Sequence, residues 1–216
     1  MASSGSPPLA VKLWGDYACF TRPEMKVERV SYPVMTPSAA RGALEAIFWK
    51  PEMSWRVREI RVLRPIRYVS FLRNELTSRA SERAAQSWQV HGGGYDATAD
   101  RAQRHTLALR DVAYVVVAEV ELRAHATEDL AKYRDQFRRR VAAGRCFATP
   151  YLGCREFSAG FAAPNGTERS IDTTEDLGRM LFDIAYAPDD SGRGVPYFFE
   201  ARLDAGVLHV PTLGEA

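Results

Sequence analysis

The sequence predicts an α+β fold, in which amphipathic helices lie between the strands of a sheet. One helix is indicated by apolar residues at spacings of three and four from Ala40 to Ile47. A second helix is indicated by the same spacing from Leu130 to Val141. Alternation from Val112 onwards is typical of a strand, and such a mixture of elements belongs to the α+β class.

The N-terminal part is predicted to hold a tail, a strand and the first helix. Residues 1–8 have neither the basic start nor the apolar core of a secretory signal, and they are expected to form a disordered tail. Residues 9–14 are predicted to be a short strand, followed by a long irregular loop. Thr36 or Ser38 caps the helix, which spans residues 36–51 and stops at its terminal proline.

The middle of the chain is predicted to be mainly β. Residues 54–63 alternate in polarity, and the alternation slips at Glu59, which indicates a β-bulge. Residues 66–72 are a candidate partner strand. Residues 73–102 are weakly patterned and fit an elaborated hairpin, and 105–122 form the clearest strand, covered on both faces.

The C-terminal part is predicted to hold the second helix and a small sheet. Thr127 is the expected cap of a helix over residues 127–144. Three strand-like runs follow, at 180–187, 197–203 and 207–210. This order predicts a ferredoxin-like or RRM-like domain over 9–157, with the elaborated hairpin, and a small antiparallel β-sheet domain over 158–216.

Composition excludes several classes of protein. The chain has 216 residues, enough to bury a core, and no apolar run approaches the ~20 residues of a membrane span. Its three cysteines indicate a reducing cytoplasm, and none lies in a CxxC pair, so no metal site is expected. No nucleotide-, flavin- or zinc-binding motif occurs in the proper context, so no cofactor is expected either.

The charge distribution points to a polyanion partner. The basic residues are 25 arginines and 4 lysines, a bias that suits phosphate binding but that a GC-rich genome would also produce. Residues 1–157 carry a net charge of +8, whereas residues 158–216 carry −6. Arginines between positions 56 and 73, beside Tyr68 and Phe71, suit a surface for phosphates and bases, although a solvated strand face would look the same.

Metal-free cleavage of RNA is one chemistry that would leave so few motifs in a sequence. In that reaction the 2′-hydroxyl of the RNA attacks its own neighbouring phosphate. The protein orients the strand, moves protons and stabilises charge, and general acid–base help contributes typically about 10²- to 10⁴-fold. A few side chains of the Lys, Tyr, His or Arg type suffice.

Several strings together resemble one family. GDYACFTRPE, FWKP, EIRVLRPIRY, LRDVAYVV and PYLGCREF make the chain from Leu9 to Phe157 similar to the subtype I-C (Dvulg) branch of the fifth CRISPR-associated protein family. The resemblance implies a ferredoxin/RRM-like domain with a small β-rich C-terminal domain. It also implies a metal-independent endoribonuclease that cuts CRISPR precursor RNA within the repeat. The product is a guide RNA, whose 5′ handle the enzyme keeps in the interference complex, beside the backbone and large subunits.

The resemblance also implies site residues. The family's catalytic tyrosine falls at Phe48, its lysine at Lys132 and its histidine at Tyr133, so one of three is kept. Phe48 cannot move a proton, and Tyr133 titrates near ~10 when unperturbed. Lys132 is the expected stabiliser of phosphate charge, with Tyr133 acting on a proton or positioning the strand. The residues expected to bind RNA are Phe48, Trp49, Lys50, Arg56, Arg58, Arg64, Arg67, Arg138 and Arg145.

Three interpretations stay open at this point. The first is an RNA-processing endoribonuclease that becomes a subunit of the complex. The second is a non-catalytic subunit that holds the 5′ handle, which the departures at Phe48 and Tyr133 favour. The third is a generic RRM-like scaffold, which the uneven distribution of charge along the chain disfavours.

Overall fold

The computed structural model describes residues 7–25, 27–78, 81–186 and 194–212. Residues 1–6 of the predicted tail lie outside these ranges. The described residues form nine strands and three helices, which in chain order are β1 (Leu9–Ala18), β2 (Arg29–Val30), α1 (Pro37–Ile47), β3 (Met53–Val62), β4 (Tyr68–Leu76), α2 (Glu82–His91), β5 (Arg101–Leu122), α3 (Leu130–Ala142), β6 (Gly160–Ala162), β7 (Glu175–Tyr186), β8 (Gly194–Asp204) and β9 (Val207–His209).

The strands form one continuous curled sheet in the order β6-β1-β5-β3-β9-β8-β7, with every neighbouring pair antiparallel. β5 is 22 residues long, and its N-terminal half pairs with β4 and β2 instead. The bulge predicted at Glu59 is confirmed, because the register of β3 against β5 shifts between Val57 and Glu59. The α+β class is confirmed as well.

Helices α1 and α3 pack on one face of the sheet. Their apolar residues share a core with β1, β3 and β5, to which Leu13, Leu44, Ile60, Val116 and Phe137 belong. The predicted cap of α1 is confirmed, since the Thr36 hydroxyl accepts a hydrogen bond from the Ala39 amide at 3.3 Å. The predicted end at Pro51 is wrong, because α1 ends at Ile47 and the backbone of Phe48 is already extended (φ −154°, ψ 124°).

The predicted start of the second helix is wrong. Thr127 does not cap it, and α3 begins at Leu130 after Asp129, whose extended backbone (ψ 146°) keeps the preceding residues out of the helix. The Asp129 side chain makes no capping hydrogen bond.

Helix α2 lies in the segment that looked weakly patterned. Its described residues include none that is buried, so it has no continuous apolar face that a periodicity search could detect. Local chemistry forms it, because the Ser81 hydroxyl accepts a hydrogen bond from the Ala84 amide at 3.1 Å.

The three C-terminal strands were predicted and are confirmed as antiparallel pairs. They continue the main sheet, because β9 pairs with β3, with Leu208 opposite Ile60. The Leu181 amide of β7 also donates to the Tyr32 hydroxyl at 3.2 Å. A domain boundary between residues 157 and 158 stays a prediction. None of the described helices is both long and apolar enough to cross a membrane.

Candidate nucleic-acid interface

Phe48 is a core residue at the end of α1. Its side chain is 1% exposed, and its amide closes the helix by donating to the Leu44 carbonyl at 2.8 Å. The Arg140 guanidinium of α3 lies over the Phe48 ring, 5.4 Å from its centroid, and its Nη1 donates to the Ile47 carbonyl at 3.0 Å. The expectation that Phe48 faces RNA is therefore wrong, because protein atoms cover the ring.

The residues after Phe48 are exposed. Trp49 is 45% exposed and Lys50 is exposed. Beside them lies the loop after α3, where Phe147 is 86% exposed. We call Trp49, Lys50, Arg145 and Phe147 the α1-end surface.

Backbone hydrogen bonds fix this surface to α1. The amides of Phe147 and Ala148 both donate to the Ala46 carbonyl, at 2.9 and 3.0 Å. Sequence reasoning missed Phe147, although an aromatic after Arg145 in a loop was a signal. An apolar ring held in water by ordered backbone is available to stack on a base.

Lys132 and Tyr133 lie in the first turn of α3 and point in different directions. Lys132 is exposed, as predicted, and pairs with Glu128 at 2.5 Å. Tyr133 is 5% exposed and belongs to the core. Burial raises the pKa of the Tyr133 phenol, and the carboxylates of Glu52 and Glu128 raise it further. At neutral pH the phenol is therefore protonated and cannot act as a base.

Lys132 and the residue of α3 that contacts Phe48 lie at different levels along the axis of α3. The residue against the Phe48 ring is Arg140, eight positions beyond Lys132, which is about 12 Å along the helix axis. Arg138, predicted to bind RNA, is exposed and pairs with Asp135 at 3.0 Å. Of the cations of α3, Lys132 and Arg138 are thus exposed, whereas Arg134 is buried and Arg140 packs against the end of α1.

The predicted arginines of β3 carry acidic partners. Arg56 pairs with Glu121 at 3.2 Å, and Arg58 with Glu119 at 3.9 Å. Arg64 and Arg67, in the turn after β3, both contact Asp111. Each of these carboxylates offsets part of the positive charge of the arginines between positions 56 and 73. Whether these arginines contact RNA stays a prediction.

A cluster around Cys154 was not predicted. The Cys154 Sγ lies 3.6 Å from the Cys19 carbonyl and 3.7 Å from Arg29 Nη1. Arg29 also pairs with Glu156, to which Arg73 binds as well.

The two thiols of this cluster have opposite pKa shifts. A hydrogen bond from the Cys19 thiol and the charge of Arg29 lower the pKa of Cys154 to about 6. The same hydrogen bond, together with burial, raises the pKa of the Cys19 thiol. Because 135 residues separate the cysteines, no sequence spacing brings them together.

Metal-ligating side chains are scattered in the part of the chain that the structure describes. Among those residues, no three or more His, Cys, Asp or Glu side chains are grouped so that they could hold an ion.

Two solved structures share this fold. One, described as the crystal structure of a CRISPR-associated protein, has a TM-score of 0.70 and 22% identity and covers 98% of this chain and 95% of its own. The other, a functionally uncharacterized protein from Streptococcus mutans, has a TM-score of 0.69 and 21% identity with the same coverage. The curled sheet with two packed helices thus also occurs in a protein described as CRISPR-associated.

Sequence comparison gives the family. A family model described as CRISPR-associated protein (Cas_Cas5), for the Cas5d branch, matches residues 8–211. A protein of Thermus thermophilus, named CRISPR pre-crRNA endoribonuclease Cas5d, is 49% identical over 94% of this chain and 91% of its own length. A protein of the same name from Mannheimia succiniciproducens is 43% identical over 94% of both chains. The chain belongs to the Cas5d family, as its motifs suggested.

Proposed function

We propose that this chain is an endoribonuclease that cleaves CRISPR precursor RNA within the repeat and then stays bound to the 5′ handle of the guide RNA. The observation that carries the proposal is the 49% identity, over nearly the whole chain, to a relative named as a pre-crRNA endoribonuclease. The exposed cations and aromatics at one end of α1 and along α3 support it, because they suit a single RNA strand.

The proposed reaction is attack of the RNA 2′-hydroxyl on the adjacent phosphate, which leaves a cyclic phosphate and a 5′-hydroxyl. Lys132 stabilises the charge that develops on the phosphate oxygens. Tyr133 carries a neutral phenol, because burial raises its pKa, so its role is to donate a hydrogen bond rather than to accept a proton. Sequence alone left both roles open for Tyr133, and burial favours positioning.

The bound strand follows the α1-end surface in this proposal. Trp49 and Phe147 stack on bases, and Lys50, Arg138 and Arg145 contact phosphates. The supporting framework is a split βαβ core of β1, α1, β3, β5, α3 and β6, whose strand order β6-β1-β5-β3 fits a ferredoxin-like fold. The protein works in the cytoplasm beside the backbone and large subunits of the interference complex.

A second candidate function is a non-catalytic subunit that holds the 5′ handle. It is favoured by the buried Phe48, which has no hydroxyl, and by the core position of Tyr133. In that case the chain binds repeat RNA tightly and another nuclease cuts it.

Cleavage of the cognate repeat RNA by the purified full chain in EDTA separates the two candidates. We expect cyclic-phosphate ends from the wild type, loss of at least about 10²-fold in rate for Lys132→Ala, and slowing for Tyr133→Phe. Arg202→Ala, an exposed cation on β8, is the matched control and keeps full activity. Tight binding without cleavage by the wild type would establish the non-catalytic subunit instead.

A further inference from the structure

A cavity of about 410 Å³ lies on the face of the sheet opposite the helices. The strand alternation fixes that face, because Lys12 and Trp14 flank the core residue Leu13 in β1. The volume falls within the range of about 300–1,000 Å³ found for small-molecule sites. The residues that line the cavity are Lys12, Trp14, Leu63, Arg64, Ala113, Thr167, Glu168 and Arg169.

The indole of Trp14 is held in a fixed place at this cavity. Its neighbours in the sheet are Ala113 on β5 and Gly160 on β6, both small. A Cβ atom at Gly160 would lie 2.5 Å from the Trp14 Cε2, so the ring rests directly on the glycine backbone. Even so, Trp14 is 38% exposed, which leaves part of its ring open to a ligand.

The wall opposite Trp14 is an ordered loop. The Glu168 carboxylate accepts hydrogen bonds from the amides of Asn165 and Gly166, at 3.2 and 3.0 Å, and lies 3.5 Å from Lys12 Nζ. The Ile171 amide donates to the Val62 carbonyl at 2.9 Å and so attaches the loop to β3. The cavity is therefore bounded by the sheet on one side and by a loop with internal hydrogen bonds on the other.

The charges at the cavity favour an anion. Three cations line the cavity, Lys12, Arg64 and Arg169, although Glu168 offsets the charge of Lys12 and Asp111 offsets that of Arg64. Arg169 is exposed and forms no ion pair with any residue that the structure describes, so its guanidinium is available to a ligand. Guanidinium groups bind phosphate in a bidentate manner, and an indole face stacks on any base.

We propose that this cavity binds one nucleotide of the RNA, with the base stacked on Trp14 and the phosphate held by Arg169 and Lys12. The proposal rests on the proposed RNA binding but not on cleavage. Because the helices with Lys132 lie on the other face of the sheet, the nucleotide bound here belongs to a different stretch of the RNA from the cleaved bond. The cavity would then help to retain the guide RNA after cleavage, because it binds a nucleotide that is distant from the cleaved bond.

Ultraviolet crosslinking of the full chain to its cognate repeat RNA, followed by tryptic mass spectrometry, tests the contact directly. We expect RNA adducts on the tryptic peptide of residues 13–26, which contains Trp14 and ends at Lys26 because trypsin does not cleave between Arg22 and Pro23. In equilibrium binding, Trp14→Ala weakens affinity for the repeat about 5- to 100-fold, as loss of one stacked base does elsewhere. Trp14→Phe keeps most of the affinity, and Arg169→Ala lowers the salt dependence by about one phosphate contact.

The matched control is Trp88→Ala, because Trp88 packs against Tyr95 on the separate hairpin. Thermal unfolding shows whether Trp14→Ala is folded, and if it is not, Arg169→Ala and Trp14→Phe decide the matter. Wild-type affinity in Arg169→Ala, with no adduct on residues 13–26, overturns the nucleotide cavity even if the wild type cleaves normally. In that case the face of the sheet opposite the helices would be a candidate contact for a protein subunit instead. Wild-type protein that binds repeat RNA without cutting it removes only the enzymatic proposal.

Discussion

The indole Nε1 of Trp55 donates a hydrogen bond to the carbonyl oxygen of Phe48 at 2.8 Å. The Trp55 ring also meets the Phe137 ring edge to face, with centroids 4.7 Å apart. One side chain of β3 thereby contacts Phe48, the residue directly after α1, and the middle of α3. The distance between the α1-end surface and the first turn of α3 depends on this junction.

Trp55→Phe is expected to lower the free energy of unfolding by about 1–3 kcal/mol, because the buried Phe48 carbonyl loses its partner. Chemical denaturation measures the change. The matched control is Trp49→Phe, where the ring is 45% exposed and the loss should be below about 0.5 kcal/mol. Equal losses in the two variants would contradict a special role for the hydrogen bond.

Phe48→Tyr is expected to leave the rate of RNA cleavage unchanged within about twofold, although it restores the residue type that the family resemblance implies. The new hydroxyl would lie among covered atoms beside Arg140, away from a bound strand. Without a partner it costs about 1–3 kcal/mol of stability. Single-turnover cleavage together with denaturation checks both parts. A tenfold gain in rate would show that this ring reaches the scissile phosphate.

Cys154 is expected to react with iodoacetamide as a thiolate, because its pKa is lowered to about 6. The rate should be nearly constant above pH 7 and fall tenfold per unit below pH 6, as the thiolate takes up its proton. Arg29→Ala removes a cation 3.7 Å from the sulfur and moves the midpoint to higher pH. Mass spectrometry of the alkylated peptide follows the reaction. A midpoint near the ordinary value of about 8.5 in the wild type would contradict the prediction.

Gly153→Ala is expected to destabilise the fold by more than about 2 kcal/mol. Gly153 has φ +85°, and an added Cβ would lie 2.1 Å from the Cys19 carbonyl oxygen. A left-handed conformation alone costs an L-residue about 1–2 kcal/mol. Gly42→Ala in α1 is the control, because no atom lies within 4 Å of the added Cβ, and it should gain up to about 1 kcal/mol. Urea denaturation of both variants distinguishes conformational strain from a general effect of replacing glycine.

Local chemistry explains which elements could be predicted from the sequence. Helix α1 has a capping threonine and an apolar stripe, which the sequence shows directly. The bulge in β3 interrupts the alternation of polar and apolar residues, so it could also be predicted from the sequence. Helix α2 has no buried face among its described residues, so its sequence has no helical periodicity of apolar residues from which it could be predicted. That β4 pairs with β5 rather than with β3 depends on long-range register, which composition does not encode.

The candidate site was predictable only in part, for a similar reason. Lys132 was placed correctly because helix geometry puts it opposite the apolar stripe. Phe48 was misplaced because its exposure depends on Arg140, 92 positions along the chain, which lies over its ring. Contacts between residues so far apart in sequence leave no local pattern.

The long strand β5 joins two regions that differ in burial. From Val112 to Ala118 every residue is buried, whereas from Arg101 to His105 exposed and half-exposed residues alternate. Asp111 stands between them with φ +53°. Amide hydrogens in the first stretch can exchange only by opening the core, while those in the second can exchange when β4 separates locally. The hairpin that β4 forms with the first half of β5 can therefore open locally without cost to the stability of the core.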